Sequence, residues 1–213
     1  MKRDKRPEKI EQSSILFVEG KDEALFFESL LKHLSITGVQ PLDIGGKDKF
    51  STGFRTFLNT DGASTVTKIG VVRDAEKNQA PSAFESICST LRKNNYPCPS
   101  SLSEPFSESD NKRVGIFIMP DHEHEGMLED LCLKSIRGTP GECCLDSYMD
   151  CIKKTLAESE KDKFNPSKAK VQSYLASRTP IVNALGLAAQ KKFWNFDHSC
   201  FDQIKAFLVK MNR

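Results

Sequence analysis

The chain lacks an excess of charge of either sign. Its 31 lysines and arginines face 29 aspartates and glutamates, a formal net charge of +2 over 213 residues. No overall basic field announces nucleic acid, so a claim of that kind has to come from local features. Long apolar runs are missing as well, and nothing approaches the length of a membrane span. The charged opening, Met1 to Gln12, has no apolar segment behind it of the kind that directs secretion. It reads as a frayed, solvated arm over residues 1–12. No GxxxxGK[ST] occurs, which excludes a P-loop ATPase within these residues. There is no internal repeat and no low-complexity block. CxxC pairs are absent: the seven cysteines stand at 88, 98, 132, 143, 144, 151 and 200. An odd count without a repeated framework points to reduced thiols in a cytoplasmic protein. Cys143-Cys144 with Cys151 invites a metal cluster, yet buried structural thiols are the better reading, with Cys132, Cys144 and Cys151 on apolar helix faces.

What is present is the make-up of a soluble globular domain, 38% hydrophobic and 28% charged. Ser14 to Glu19 is a short apolar run of strand length, followed by Gly20 and then helical spacing from Asp22 to Leu34. Val39 to Ile44 is a second strand, ending at Gly45-Gly46. Helical spacing returns from Lys47 to Leu58 through Phe50, Phe54 and Phe57. Thr65 to Arg73 is strongly β-prone and runs into Asp74-Ala75-Glu76. Pro81 opens a helix, residues 95–112 read as a loop, and Val114 to Met119 is the last strand, before Pro120-Asp121. Everything after Gly126 looks helical, broken at Gly138–Gly141, around Asn165-Pro166 and at Pro180.

Strands that are short and continuously apolar, alternating with helices, suit a parallel sheet buried on both faces. The spacing predicts an α/β core over 13–137 and a helical extension over 138–213 packed on the same domain. Three of the strands end in acid: Glu19, then Asp74 with Glu76, then Asp121. A parallel sheet brings all its strand C-termini to one rim, where ligands bind in open α/β folds. Two unit charges 4 Å apart repel by about 4 kcal/mol at an effective dielectric near 20. Either their pKa values rise or a cation sits among them. Oxygen ligands without histidine favour a hard ion, Mg²⁺ or Mn²⁺.

The stretch Phe17-Val18-Glu19-Gly20-Lys21-Asp22-Glu23 resembles the first motif of the toprim domain. Val72-Arg73-Asp74-Ala75-Glu76 resembles its second. From about residue 14 to the C-terminus the chain is similar to an uncharacterised bacterial branch of toprim-like proteins. Gly45-Gly46 with Lys49-Phe50, the element Gly126-Met127-Leu128-Glu129-Asp130 and Ser167-Lys168-Ala169 carry that similarity. It implies a toprim-type, mainly parallel sheet flanked by helices, with a helical C-terminal region. It implies Glu19 as general acid/base or metal ligand, and Asp74 and Glu76 as ligands of Mg²⁺. By distant similarity to the overcoming-lysogenisation-defect nucleases, Glu129 serves a second metal and Lys168 stabilises developing charge. Gly20, Asp22, Glu23, Gly46, Asp121 and Gly126 are the expected supporting residues. Two departures stand out: Glu76 replaces the usual Asp, and Glu23, with Asp22 beside it, stands where Asp is usual.

Each element also has a plainer reading. Asp22, Glu23, Glu129 and Asp130 complement helix dipoles wherever they occur. Lys168 lies in a run with Lys161, Lys163 and Lys170 that suits a solvated face. Lys191-Lys192 beside Phe193-Trp194 suggests a stacking surface for nucleic acid, but packing of Trp194 on the core fits better. Asp121-His122-Glu123-His124-Glu125 reads as a solvated loop before a helix, not a zinc site.

Three tyrosines, Tyr96, Tyr148 and Tyr174, and no room for additional domains argue against topoisomerase or primase chemistry. Hydrolysis by an activated water needs the fewest parts. The expected function is a Mg²⁺-dependent phosphodiester hydrolase acting on nucleic acid. The alternative is a non-catalytic metal- or nucleic-acid-binding module that works with a separate ATPase protein, as in phage-defence pairs. No membrane is expected as a partner, and the sequence assigns no oligomeric state.

Overall fold

The computed structural model describes residues 9–46, 49–75 and 80–213. Its centre is a five-stranded sheet in the order β2-β1-β3-β5-β4. The strands are β1 (Ser14–Val18), β2 (Val39–Asp43), β3 (Lys68–Asp74), β4 (Phe106–Ser109) and β5 (Lys112–Met119). β2, β1, β3 and β5 run parallel, and β4 pairs antiparallel with β5. The expected α/β class with a mainly parallel sheet and a helical C-terminal region is borne out. β4 was not expected, because its sequence FSES carries little apolar signal. The hairpin forms through Asp110 and Asn111, both at positive φ, as a tight turn between antiparallel strands requires.

Alternation along each strand divides the core in two. Ile15 and Phe17, Ile69 and Val71, Val114 and Ile116 face one side. They are covered by α2 (Phe50–Leu58) and α3 (Ala80–Lys93). Phe17 meets Phe50, Phe54 and Phe57 with ring centroids 6.2, 5.6 and 5.0 Å away, all edge-on. Each such pair adds about 0.5–1.5 kcal/mol beyond burial. β1 is thereby pinned directly behind its acidic end.

The other face carries Leu16, Val18, Val72, Phe117 and Met119. It is covered by α1 (Lys21–His33), α4 (Leu128–Ser135), α7 (Pro166–Ala176), α8 (Leu185–Gln190) and α9 (Asp202–Asn212). Side chains from 13–137 and from 138–213 thus share one core. α9 lies on a floor made by the paired strand glycines Gly70 and Gly115. A Cβ on Gly70 would sit 2.5 Å from Met211 Sδ, and one on Gly115 would sit 3.0 Å from the Phe207 ring. Lys68 Nζ donates to the Asn212 carbonyl at 2.7 Å, closing the last turn. Two further helices, α5 (Glu142–Thr155) and α6 (Glu158–Lys161), precede α7. Among the described residues no helix is long and apolar enough to cross a membrane.

Three local expectations change. Residues 1–8 of the expected arm lie outside the described residues. Residues 9–11 are held: Gln40 donates to the Lys9 carbonyl and accepts from Glu11 N–H, both at 2.9 Å, and Ile10 is buried. Gln40 stands on an edge strand, and its amide mimics a strand partner there. The thiols are not all reduced, since Cys88 and Cys98 form a disulfide across the turn after α3. Their ten-residue separation matches no motif, so nothing in the spacing announced them. Cys144 and Cys151 are exposed, not buried, because α5 turns only Leu145 and Met149 inward.

Candidate metal centre

β1 and β3 are neighbours, and the chain leaves β1 towards β2 on one side and enters β3 on the other. The rim between them is the topological switch point of the sheet, where open α/β folds leave a crevice. Glu19 follows β1 and Asp74 ends β3. Glu23 rises from the first turn of α1. Glu19, Glu23 and Asp74 each bring a carboxylate oxygen to one place, all within 4.8 Å of one another. Among the described residues no other set of three histidine, cysteine or acidic side chains converges in this way.

The backbone fixes these groups. Asp74 N–H donates to Glu19 Oε1 at 3.2 Å, and Arg73 Nε stands 4.0 Å from the same oxygen. Glu23 reaches back one turn to accept Glu19 N–H at 2.8 Å. Leu128 N–H, at the start of α4, donates to Asp74 Oδ1 at 3.1 Å. A helix N-terminus thus points at the buried end of the cluster.

Crowding shows in the proton affinities. Burial and then repulsion from Glu19 push Glu23 up to about 8, against the hydrogen bond from Glu19 N–H. Burial, then Glu23, Glu19 and Glu129, hold Asp74 well above the usual carboxylate range, with Leu128 N–H opposing. Burial raises Glu129 too, while the Lys168 ammonium 4.0 Å away pulls it down. Glu129 sits near enough to raise both Glu23 and Asp74.

A clamp places Glu129 and Lys168. Gly126 has φ +145°, and a Cβ there would sit 2.9 Å from Asp130 Oδ2. Without it, Asp130 folds back to accept Met127 N–H at 2.8 Å and Ser167 Oγ–H at 2.5 Å. Asn165 caps α7 by accepting Lys168 N–H at 3.0 Å. The starts of α4 and α7 are therefore tied together, with Glu129 on one and Lys168 on the other.

The remaining expected residues fall as follows. Glu76 lies outside the described residues. Asp22 turns away from the cluster to accept Leu185 and Gly186 N–H, both at 2.7 Å, at the start of α8. Of the two neighbouring acids, Glu23 therefore joins the site and Asp22 anchors a helix. Gly20 precedes α1 in extended backbone, φ −150°, which any residue adopts. Gly46 lies at φ +114° and donates its N–H to the Glu19 carbonyl at 2.7 Å. Asp121 serves its own loop: it accepts Glu123 and His124 N–H at 3.2 and 2.9 Å and faces the His124 ring. Its loop is not wholly solvated, because the His122 ring packs 4.2 Å from that of Phe117. Burial lowers His122 to about 4. Trp194 packs in the core as expected, stacked 5.4 Å from Tyr174 with its indole N–H on the Leu185 carbonyl. Sequence reasoning missed Arg73 beside Glu19, and the tie from Asp130 to Ser167, which only an alternation of short polar residues at helix starts could have suggested.

The family described as "Protein of unknown function (DUF3226)" matches residues 13–213, the span over which the sequence resemblance runs. No curated protein matches. Among solved structures, the chain is similar to the C-terminal region of the Burkholderia pseudomallei OLD protein at 14% identity, TM-score 0.48, covering 96% of this chain and 100% of that one. It is also similar to the C-terminal region of the Xanthomonas campestris pv. campestris OLD protein at 10% identity, TM-score 0.46, covering 94% and 96%. Likeness at this distance leaves function to be decided by the side chains.

Proposed function

This chain belongs to the family described as "Protein of unknown function (DUF3226)", and from its carboxylate cluster we propose that it is a Mg²⁺-dependent phosphodiester hydrolase acting on nucleic acid. The observation that carries the reading is the convergence of Glu19, Glu23 and Asp74 within 4.8 Å, partly buried and on separate elements. Acids in this position cost stability unless a cation is shared among them. The donors are oxygen only, which suits Mg²⁺ or Mn²⁺. Glu19, Glu23 and Asp74 would hold the ion, with Glu76, two residues after Asp74 in the sequence, as a further ligand and Glu129 serving a second ion.

Bound there, the metal would supply positive charge to a phosphate oxygen and to the attacking water. Glu19, oriented by Asp74 N–H and Arg73, accepts the proton of that water. Lys168, held near Glu129 by the clamp between α4 and α7, offsets charge that develops on the phosphate. As a proposal about organisation, 13–137 supplies the carboxylates and 138–213 supplies the lysine.

The test is cleavage of plasmid and of oligonucleotides by the purified chain with Mg²⁺ or Mn²⁺. The reading expects cleavage that EDTA stops and that Glu19→Gln and Asp74→Asn each abolish while both variants remain folded. Equal trace cleavage by all three proteins would remove the enzyme. If the wild type then still bound Mn²⁺, the non-catalytic module with a separate ATPase would take its place.

A further inference from the structure

We propose that Arg73 grips the phosphate that is cleaved, as a catalytic residue and not only a support for Glu19. This rests on the hydrolase reading and adds which residue meets the substrate on the side away from Lys168. Arg73 follows Val71 by two residues on β3 and so leans to the same face of the sheet. There its Nη1 donates to Ser86 Oγ of α3 at 3.3 Å. Lys168 belongs to α7 and faces Glu129 of α4 at 4.0 Å, and both helices cover the opposite face. The carboxylates therefore have a cation on each side, Arg73 beside Glu19 and Lys168 beside Glu129.

The guanidinium is held in place but not used up. A carboxylate that satisfied it would sit at about 2.8 Å. Arg92 and Arg113 are satisfied in this way, with Nη1 2.7 and 2.5 Å from Glu85 and Glu108. Arg73 Nε stops 4.0 Å from Glu19, yet its side chain is only 15% exposed, against 56% and 22% for those two. Of its nitrogens only Nη1 has a hydrogen-bond partner among the described residues. Nε and Nη2 are not sealed off either: among the described residues, the buried side-chain polar atom that lacks a partner is Arg113 Nε. A mostly buried cation with donors left over is what a ligand site requires, because folding alone pairs such groups. The guanidinium fork matches two phosphate oxygens. Displacement at phosphorus spreads charge over the non-bridging oxygens, where fixed donors act most strongly in the transition state. Arg73 stays protonated throughout and adds no bond-making step to the hydrolysis.

The experiment uses the whole chain and a labelled single-stranded oligodeoxynucleotide. It records single-turnover cleavage in Mn²⁺, binding by fluorescence anisotropy in Ca²⁺ over a range of salt, and Mn²⁺ affinity by calorimetry. Arg73→Ala is expected to slow cleavage by about 10²–10³-fold and to lower the salt slope of binding by about 0.7, one phosphate contact. Its Mn²⁺ affinity does not fall, because the change removes a positive charge from beside the carboxylates. Added guanidinium ion restores part of its cleavage and leaves the wild type unchanged. Arg73→Lys keeps the charge and the fold but loses the fork, and is expected to cleave about tenfold more slowly or worse. Wild-type cleavage by Arg73→Lys would overturn the proposal. So would an Arg73→Ala protein with the wild-type salt slope and weakened Mn²⁺ binding, which would make Arg73 a support for Glu19 alone. Either result leaves the hydrolase reading standing. A wild-type protein that binds Mn²⁺ but neither binds nor cleaves the oligonucleotide would overturn both.

Discussion

Replacing Glu23 with glutamine should make the metal-free protein more stable above neutral pH. Glu23 is held at about 8 against an ordinary 4.5, first by burial and then by Glu19. Between those two values the folded protein keeps a proton that the unfolded chain has released. Stability from this proton is complete below the unfolded value and is lost as pH climbs to the folded one. A rise of that size corresponds to roughly 5 kcal/mol at about 1.4 kcal/mol per pH unit. In a protein of this length such a loss lowers Tm by on the order of 10 °C. Asp74, also raised, acts in the same direction. Glutamine keeps an acceptor for Glu19 N–H and removes the charge. Melting followed by circular dichroism in EDTA, from pH 5 to 9, should show a falling Tm for the wild type and a flatter profile for Glu23→Gln, which melts higher at pH 8.5. Mg²⁺ should raise the wild-type Tm more at pH 8.5 than at pH 6, because protons compete for the same oxygens. A variant with the wild-type slope, or one that melts lower at pH 8.5, would refute the reasoning.

Other expectations concern the scaffold around the site. Gly186→Ala places a Cβ 2.4 Å from the Asp22 carbonyl at the crossing of α8 and α1, and should cost about 1–3 kcal/mol in urea unfolding with the m-value unchanged. Met211→Ala empties the space over Gly70 and should cost about 2–5 kcal/mol by the same measurement. Ser167→Ala releases Asp130 and loosens the hold on Lys168; cleavage should slow while Mn²⁺ affinity measured by calorimetry moves little.

The sheet was legible because its strands are continuous apolar runs with punctuation at Gly20, Gly45-Gly46 and Pro120. Glu19 and Asp74 were legible as strand-end acids, and a parallel sheet leaves them little choice but to meet at one rim. The roles of Asp22 and Glu23 were not separable, because both fall in the first turn of α1. Their parting depends on α8, which arrives 163 residues later to bind Asp22. β4 stayed hidden because it draws its order from β5. The disulfide stayed hidden because it depends on the path of the turn after α3, and the exposed thiols of α5 because that helix buries a single narrow stripe.

The claim that these acids share a cation is tested most directly by calorimetric titration of Mn²⁺ into the metal-free protein at pH 8, beside Asp74→Asn. The account predicts saturable binding by the wild type with release of protons, and its loss in the variant while both proteins remain folded. No binding by the wild type, or equal binding by both, would contradict it.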